Sequence, residues 1–221
     1  MTAKSYLGHD VGTLAGTYTF DPDNSRIGFE ARHAVVTKVH GAFHDFTGTA
    51  LLDGVDPSQS KVDLTIQVAS LGTGNNKRDD HLRTNDFFDV ARFPTIRFVS
   101  TAVRRLKPSV FGLTGDLTIK NTIKSVTVEF EFTGVVTDSW GNHCAGFEGR
   151  TEVNRKDWGV NFNAALEAGG LLVSEKAVLT FDISAVKRLE PVGAHHTGRP
   201  IADDVDALVP PVIPGVSGWV D

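Results

Sequence analysis

The 221-residue chain contains one cysteine, Cys144, so no internal disulfide can form and nothing demands an oxidising compartment. The surrounding Gly141-Asn142-His143-Cys144-Ala145-Gly146 offers only His143 as a second soft ligand. Adjacent residues on a strand point to opposite faces, so Cys144 reads as a small structural residue rather than a metal ligand or nucleophile. No apolar run is long enough to span a bilayer, and residues 1–16 lack the apolar core of a signal peptide. This start reads as cytoplasmic, and a leader removed beforehand would make the protein periplasmic or secreted. Basic residues are scattered through a chain of net charge −5, which argues against nucleic acid as the partner. Arg104-Arg105-x-Lys107 is among the denser basic clusters and reads as a solvated hairpin end. The sequence has no internal repeat, Walker A loop, GxGxxG fingerprint, HExxH motif or nucleophile elbow. His40 and His44 would lie about 13 Å apart on one strand face, too far to share a metal. No cofactor or metal is expected.

What the chain does have is alternation. Val62, Leu64, Ile66 and Val68 alternate with Asp63, Thr65 and Gln67, and Val126, Val128, Phe130 and Phe132 alternate with Thr127, Glu129 and Glu131. Period-2 patterning of this kind marks strands with one buried face. Ile27-Phe29-Ala31-His33, Phe43 to Leu52, Ile96-Phe98, Leu117-Ile119, Phe147 to Val153 and Leu179-Phe181-Ile183 continue the series. Turn signals separate them, among them Asp21-Pro22-Asp23-Asn24, Asp53-Gly54-Val55-Asp56-Pro57 and Asp138-Ser139-Trp140-Gly141-Asn142. About eight strands at this spacing predict an all-β antiparallel barrel or sandwich. After Arg188 the alternation stops and Pro191, Pro200, Pro210-Pro211 and Pro214 give a linker-like tail. The expected organisation is an arm over 1–15, a barrel over 16–187 and a tail over 188–221. The apolar stretch Leu208 to Ile213 with Trp219 would dock on a barrel or remain a disordered arm.

One block interrupts the pattern. Between Gly74 and Pro94 charge density rises sharply, and Asp79 with Arg83 at i,i+4 suits a short exposed helix near Lys77 to Phe88, with Phe87-Phe88 as its apolar foot. Here the residues become specific. Arg78-Asp79-x-His81-Leu82-x4-Phe87-Phe88-Asp89-x4-Pro94-x-Ile96-x-Phe98 resembles the signature of the YceI-like family, lipocalin-like barrels that bind polyisoprenoids or related amphiphiles. Phe20-Asp21-x3-Ser25-x3-Phe29-x3-His33 with Gly41-x-Phe43, Gly115-Asp116-Leu117-Thr118-Ile119 and Arg155-x-Asp157-Trp158-Gly159 extend the resemblance over most of the chain. It implies an eight-stranded antiparallel lipocalin-like barrel with a short helical insertion.

A barrel of that size either fills its interior with side chains or keeps room for one ligand. Aromatic residues on alternating faces are ordinarily core, so the residues alone favour a filled barrel. The resemblance turns the same residues into the lining of an elongated apolar cavity. Its expected ligand is a long-chain isoprenoid, quinone-like or fatty-acyl lipid, sequestered or transported rather than turned over. The expected lining is Phe29, His33, Phe43, Phe46, Ile66, Val68, Leu82, Phe87, Phe88, Phe98, Phe130 and Trp158, with Phe132 and Phe181 on the same inward faces. Asn76, Arg78, His81 and Arg83, in the connection between strands, are the head-group candidates. For either arginine alone the alternative is a structural ion pair with Asp79 or Asp86. Trp158 would plug one end, with Arg155 and Asp157 serving closure. Two other classes stay open: an enzyme using Asp79 or Asp80 with His81 as acid and base on a hydrophobic substrate, and a filled barrel acting as an interaction module. Edge pairing or tail exchange would make a homodimer.

Overall fold

The computed structural model describes residues 11–34, 36–165 and 172–188. Its strands are β1 (Gly16–Phe20), β2 (Arg26–His33), β3 (Thr37–Phe43), β4 (Phe46–Leu52), β5 (Lys61–Gln67), β6 (Leu71–Gly72), β7 (Thr95–Lys107), β8 (Val110–Ile119), β9 (Thr122–Thr137), β10 (His143–Asn154) and β11 (Val173–Lys187). One helix, α1 (Asn76–Arg83), lies between β6 and β7. The apolar tail lies outside the described residues.

These eleven segments make eight staves. β1 and β2 both pair with β11, Phe20 opposite Ala185 and Arg26 opposite Asp182, so they are two halves of one stave. Pro22 cannot donate to the ladder and Asp21 folds the chain outward there, accepting from the Asp23 amide and the Asn24 side chain. The same break passes to the neighbouring staves: β3 pairs with β2 while β4 pairs with β1, and β6 pairs with β3 while β5 pairs with β4. With β7 to β11 these three broken staves form a closed antiparallel barrel, sealed by the β1–β11 pairing. Closure leaves ladder edges open only at the broken staves, where β3 pairs with β6 through Ala42 and Phe43 alone and β6 has no second strand beside it among the described residues.

Alternation places the apolar set inside. Leu64, Ile66, Ile96, Phe98, Leu113, Leu117, Val126 and Val128 are all buried. At about 1.5–3 kcal/mol for each large side chain, this face dominates the driving force. The period slips in two places. In β7 the inward positions pass from Ile96 and Phe98 to Val103 because the register shifts between Ser100 and Ala102. In β9 they pass from Phe132 to Val135, where the register with β10 shifts at Gly146/Phe147 and Gly134 takes φ 133°. Bulges of this kind bend the staves around the barrel.

The staves run between two ends. α1, the β8–β9 turn and the Arg155–Trp158 turn share one, here the helix end. The β4–β5, β7–β8 and β9–β10 loops share the other, the hairpin end.

Candidate functional site

The helix end is closed by its own hydrogen bonds. Asn75 caps α1, its side chain accepting from the Arg78 amide at 3.1 Å. Asp79 is buried and accepts from the Thr73 amide and hydroxyl. Burial pushes its carboxyl up, but the Thr73 donors, with Arg83 and Arg78 nearby, outweigh that and hold it below the ordinary carboxylate range. Arg78 donates to the Thr73 hydroxyl and carbonyl. Arg83 donates to the Ala69 and Leu71 carbonyls and to Asp80. These guanidiniums join α1 to the chain around β6, so neither is free at a cavity mouth, and the head-group expectation for them is corrected. The arginine fork matches converging carbonyls as well as it matches phosphate.

His81 pairs with Asp86 at 2.8 Å, and its ring stands edge-on to Phe87 and Phe162 at 5.2 and 4.7 Å. Asp79 and His81 therefore have separate partners, and the acid–base set suggested for them does not assemble. Asn76 is exposed on the first turn of α1. α1 stops at Arg83, with Thr84 closing it, so Phe87 and Phe88 sit in the following turns rather than on the helix. Phe87 is buried, and Phe88 meets Phe43 edge to face at 6.4 Å. Trp158 is 3% exposed and its indole donates to the Leu117 carbonyl at 2.9 Å, while Lys120 donates to the carbonyls of Phe87 and Gly159. Arg155 is buried and donates to the carbonyls of Ser174, Val160 and Val173. Burial pulls its pKa down and Glu175 only partly offsets this.

Above this floor lies a cavity of about 170 Å³. Its wall includes Phe43, Ile66, Phe98, Phe130 and Phe181 as expected, together with Phe20, Phe111, Phe147 and Leu179, whereas Phe132 is buried without lining it. Phe46, Val68, Leu82, Phe87, Phe88 and Trp158 do not line it. Phe46, Val68, Phe87 and Trp158 are buried in the packing of the helix end. His33 is exposed, because β2 continues to the rim there. Phe29 faces inward but its ring lies over Gly41, flat against the wall.

At its far side the cavity reaches Leu14, Leu52, Asp53, Pro57 and Ser60 at the hairpin end. Asp53 and Ser60 are the polar side chains of the wall, and both are committed. The Ser60 hydroxyl accepts from the Asp53 amide at 2.9 Å, and the Asp53 carboxylate accepts from the Val55 and Asp56 amides. Among the described residues no buried polar side-chain atom lacks a partner, and no cluster of histidine, cysteine and carboxylates could hold a metal. Burial, with Asp138 and Asp21 nearby, pushes the Cys144 thiol up, away from a reactive thiolate. No described helix is long and apolar enough to cross a membrane. The cavity can thus recognise apolar surface and little else.

Sequence reasoning missed Phe20, Phe111, Phe147, Leu179 and the Asp53–Ser60 corner as lining. The alternation of β8, β10 and β11 carried the signal for the apolar members. Nothing local revealed that the polar corner of the cavity would be at the hairpin end.

Residues 18–185 match the family described as the YceI-like domain. A UPF0312 protein of Pseudomonas savastanoi pv. phaseolicola is 35% identical over 170 residues, 72% of this chain and 88% of the relative. Among solved structures, Burkholderia cenocepacia BcnA superposes with a TM-score of 0.66 at 23% identity, over 75% of this chain and 98% of that one. A polyisoprenoid-binding domain from Saccharophagus degradans, implicated in plant cell wall breakdown, superposes with a TM-score of 0.58 at 12% identity, over 77% and 98%. The closed eight-stave barrel, its single short helix and the match over most of the strands agree: the chain belongs to the YceI-like family.

Proposed function

We propose that the barrel binds and shields the hydrocarbon chain of an isoprenoid or similar long-chain lipid, as a carrier or sequestering protein rather than an enzyme. The observation that carries this reading is the cavity itself, enclosed by aromatic and branched aliphatic side chains, with its two polar members turned into their own loop. The Saccharophagus degradans domain described as polyisoprenoid-binding has the same fold, which supports the ligand class.

Magnitudes shape the proposal. Drug-sized ligands occupy pockets of roughly 300–1,000 Å³, and an engineered apolar cavity of about 150 Å³ takes a benzene ring. A space of about 170 Å³ therefore takes only a short segment of chain as it stands. A longer chain must displace the half-buried Phe130, Phe147 and Phe181, or extend past the rim. Each methylene buried contributes about 0.8 kcal/mol, so affinity rises with chain length until the lumen is full and then levels off.

Native mass spectrometry of the gently purified protein, followed by solvent extraction of any adduct, tests the reading. A stoichiometric long-chain species lost on denaturation is the expected result. A bare polypeptide that also takes up no isoprenoid alcohol, diphosphate or quinone on titration would overturn it and leave a filled barrel.

A further inference from the structure

Seven large apolar side chains stand out as exposed among the described residues. Val36 and Ile123 are at the helix end, and the other five, Leu51, Val55, Leu106, Val136 and Trp140, gather at the hairpin end. Three of them sit on or beside separate loops: Val55 is 92% exposed in the β4–β5 loop, Leu106 is 49% exposed at the β7–β8 turn, and Trp140 is 85% exposed in the β9–β10 loop. None of these contributes to the barrel core.

The Trp140 loop is held rigidly. Asp138 accepts from the Trp140 amide, the Asn142 amide and the Asn142 side chain at 2.8–2.9 Å, so the indole is presented by a fixed turn rather than a floppy one. A preorganised exposed indole loses little entropy when it enters an interface. Leu106 is flanked by three cations. Arg105 donates to the Pro108 carbonyl and stands 6.0 Å from the Phe111 ring centroid, whereas Arg104 and Lys107 are exposed and form no ion pair with any described residue. Asp53, Asp56 and Asp138 in the loops of this end are each turned back onto amides of their own loop, and on the outer wall beneath the Leu106 turn Lys107 shares a groove with Glu129, Glu131, Glu148, Asp182, Arg26 and Arg150. The turn segment itself, residues 104–111, carries three cations and no carboxylate.

An indole and aliphatic tips beside unpaired cations are the composition that partitions into the headgroup region of an anionic bilayer. A protein partner would ordinarily require a contiguous complementary surface, whereas separate loop tips around a rim suit a surface that yields. We propose that the hairpin end docks on an anionic membrane surface, with Trp140, Leu106 and Val55 inserted at headgroup depth and Arg104 and Lys107 against lipid phosphates. This proposal rests on the rim and not on the contents of the lumen.

The test is co-sedimentation of the full chain with mixed phosphatidylcholine–phosphatidylglycerol vesicles that carry no isoprenoid. Tryptophan emission is followed in parallel. The expected result is binding with a blue shift that is lost in Trp140→Ser, which separates the signal of Trp140 from those of the buried Trp158 and of Trp219. Trp140→Ser and Leu106→Ser should each lower vesicle affinity about tenfold, and Arg104→Gln with Lys107→Gln should abolish the preference for anionic over neutral vesicles. All four positions are exposed, so unchanged melting temperatures establish that the variants remain folded. Equal sedimentation of wild type and variants overturns the proposal, as does no sedimentation at all. A blue shift that grows with protein concentration without vesicles would also overturn it, assigning the rim to a second copy of the chain. Uptake of a lumen ligand by a protein that ignores vesicles would leave the binding reading intact and remove this one alone.

Discussion

The ring of Phe29 lies over Gly41, its cross-strand partner, so closely that a Cβ at position 41 would fall well inside 3.0 Å of the ring. The arrangement recurs along the barrel. Phe20 covers Gly48, Phe130 covers Gly149, and Phe98 reaches diagonally over Gly115. In each case the missing side chain lets an inward-facing ring lie flat along the wall instead of projecting across the lumen. A barrel this narrow keeps its cavity open only if some of its phenylalanines are flattened in this way.

Gly41→Ala tests this directly. Its backbone does not need positive φ, so the added methyl acts only through the ring it meets. Phe29 must swing inward, and the expected outcome is a loss of about 1–3 kcal/mol from overpacking, with weaker uptake of an apolar fluorescent probe. Phe29→Leu in the same background should recover most of both. Thermal unfolding and probe titration measure the two effects. A Gly41→Ala protein with unaltered uptake would mean that the ring position does not control the lumen.

Filling the lumen by another route separates volume from wall geometry. Ala50 is 4% exposed and lines the cavity from β4. Ala50→Phe should cut ligand uptake about tenfold or more, while stability changes by no more than about 1–3 kcal/mol because cavity filling offsets strain. Isothermal titration with an isoprenoid alcohol beside a urea melt tests this. Retained affinity at reduced stability would place the ligand elsewhere.

The strands were legible because alternation is local: Val126, Val128 and Phe132 face inward as the sequence predicts. The Phe–Gly pairing was not legible, since it depends on which residue of the next strand lies opposite, and register is a property of two strands. The same limit hid the polar corner of the cavity. Arg78, Arg83 and His81 look like head-group ligands in a charged connection, and only the folded chain shows that carbonyls and Asp86 occupy them. The Arg155–Trp158 turn was readable as closure, because Asp157 and Gly159 suit a turn and Gly159 takes φ 69°.

Acid should weaken the helix end through Asp79. The folded-state pKa of Asp79 lies below its unfolded value, so its contribution is fully present above the unfolded carboxylate pKa of about 4 and is lost as pH falls through the folded value. Asp79→Asn removes that dependence and leaves a poorer acceptor for the Thr73 donors, costing about 1–3 kcal/mol at neutral pH. Urea midpoints from pH 7 down to 2 should converge for wild type and variant at the acid end. Parallel curves across the range would mean that another carboxylate governs acid unfolding.

Arg155 makes the strongest case for a structural charge. Its guanidinium is buried against the carbonyls of Ser174, Val160 and Val173, with no carboxylate of the described residues paired to it and Glu175 acting only from farther off, and it ties the turn after β10 to the start of β11. Arg155→Met keeps the apolar stem and leaves those carbonyls without their donor. Since stranding buried polar groups costs about 1–3 kcal/mol, and more where a charged donor is lost, the expected loss is about 3 kcal/mol. Lysine, a point charge without the planar fork, should recover little of it. Both variants should lower the urea midpoint without changing the slope, and apolar ligand should still bind to the fraction that remains folded. If Arg155→Lys matched wild type, the fork geometry would be irrelevant and the site would need only a positive charge.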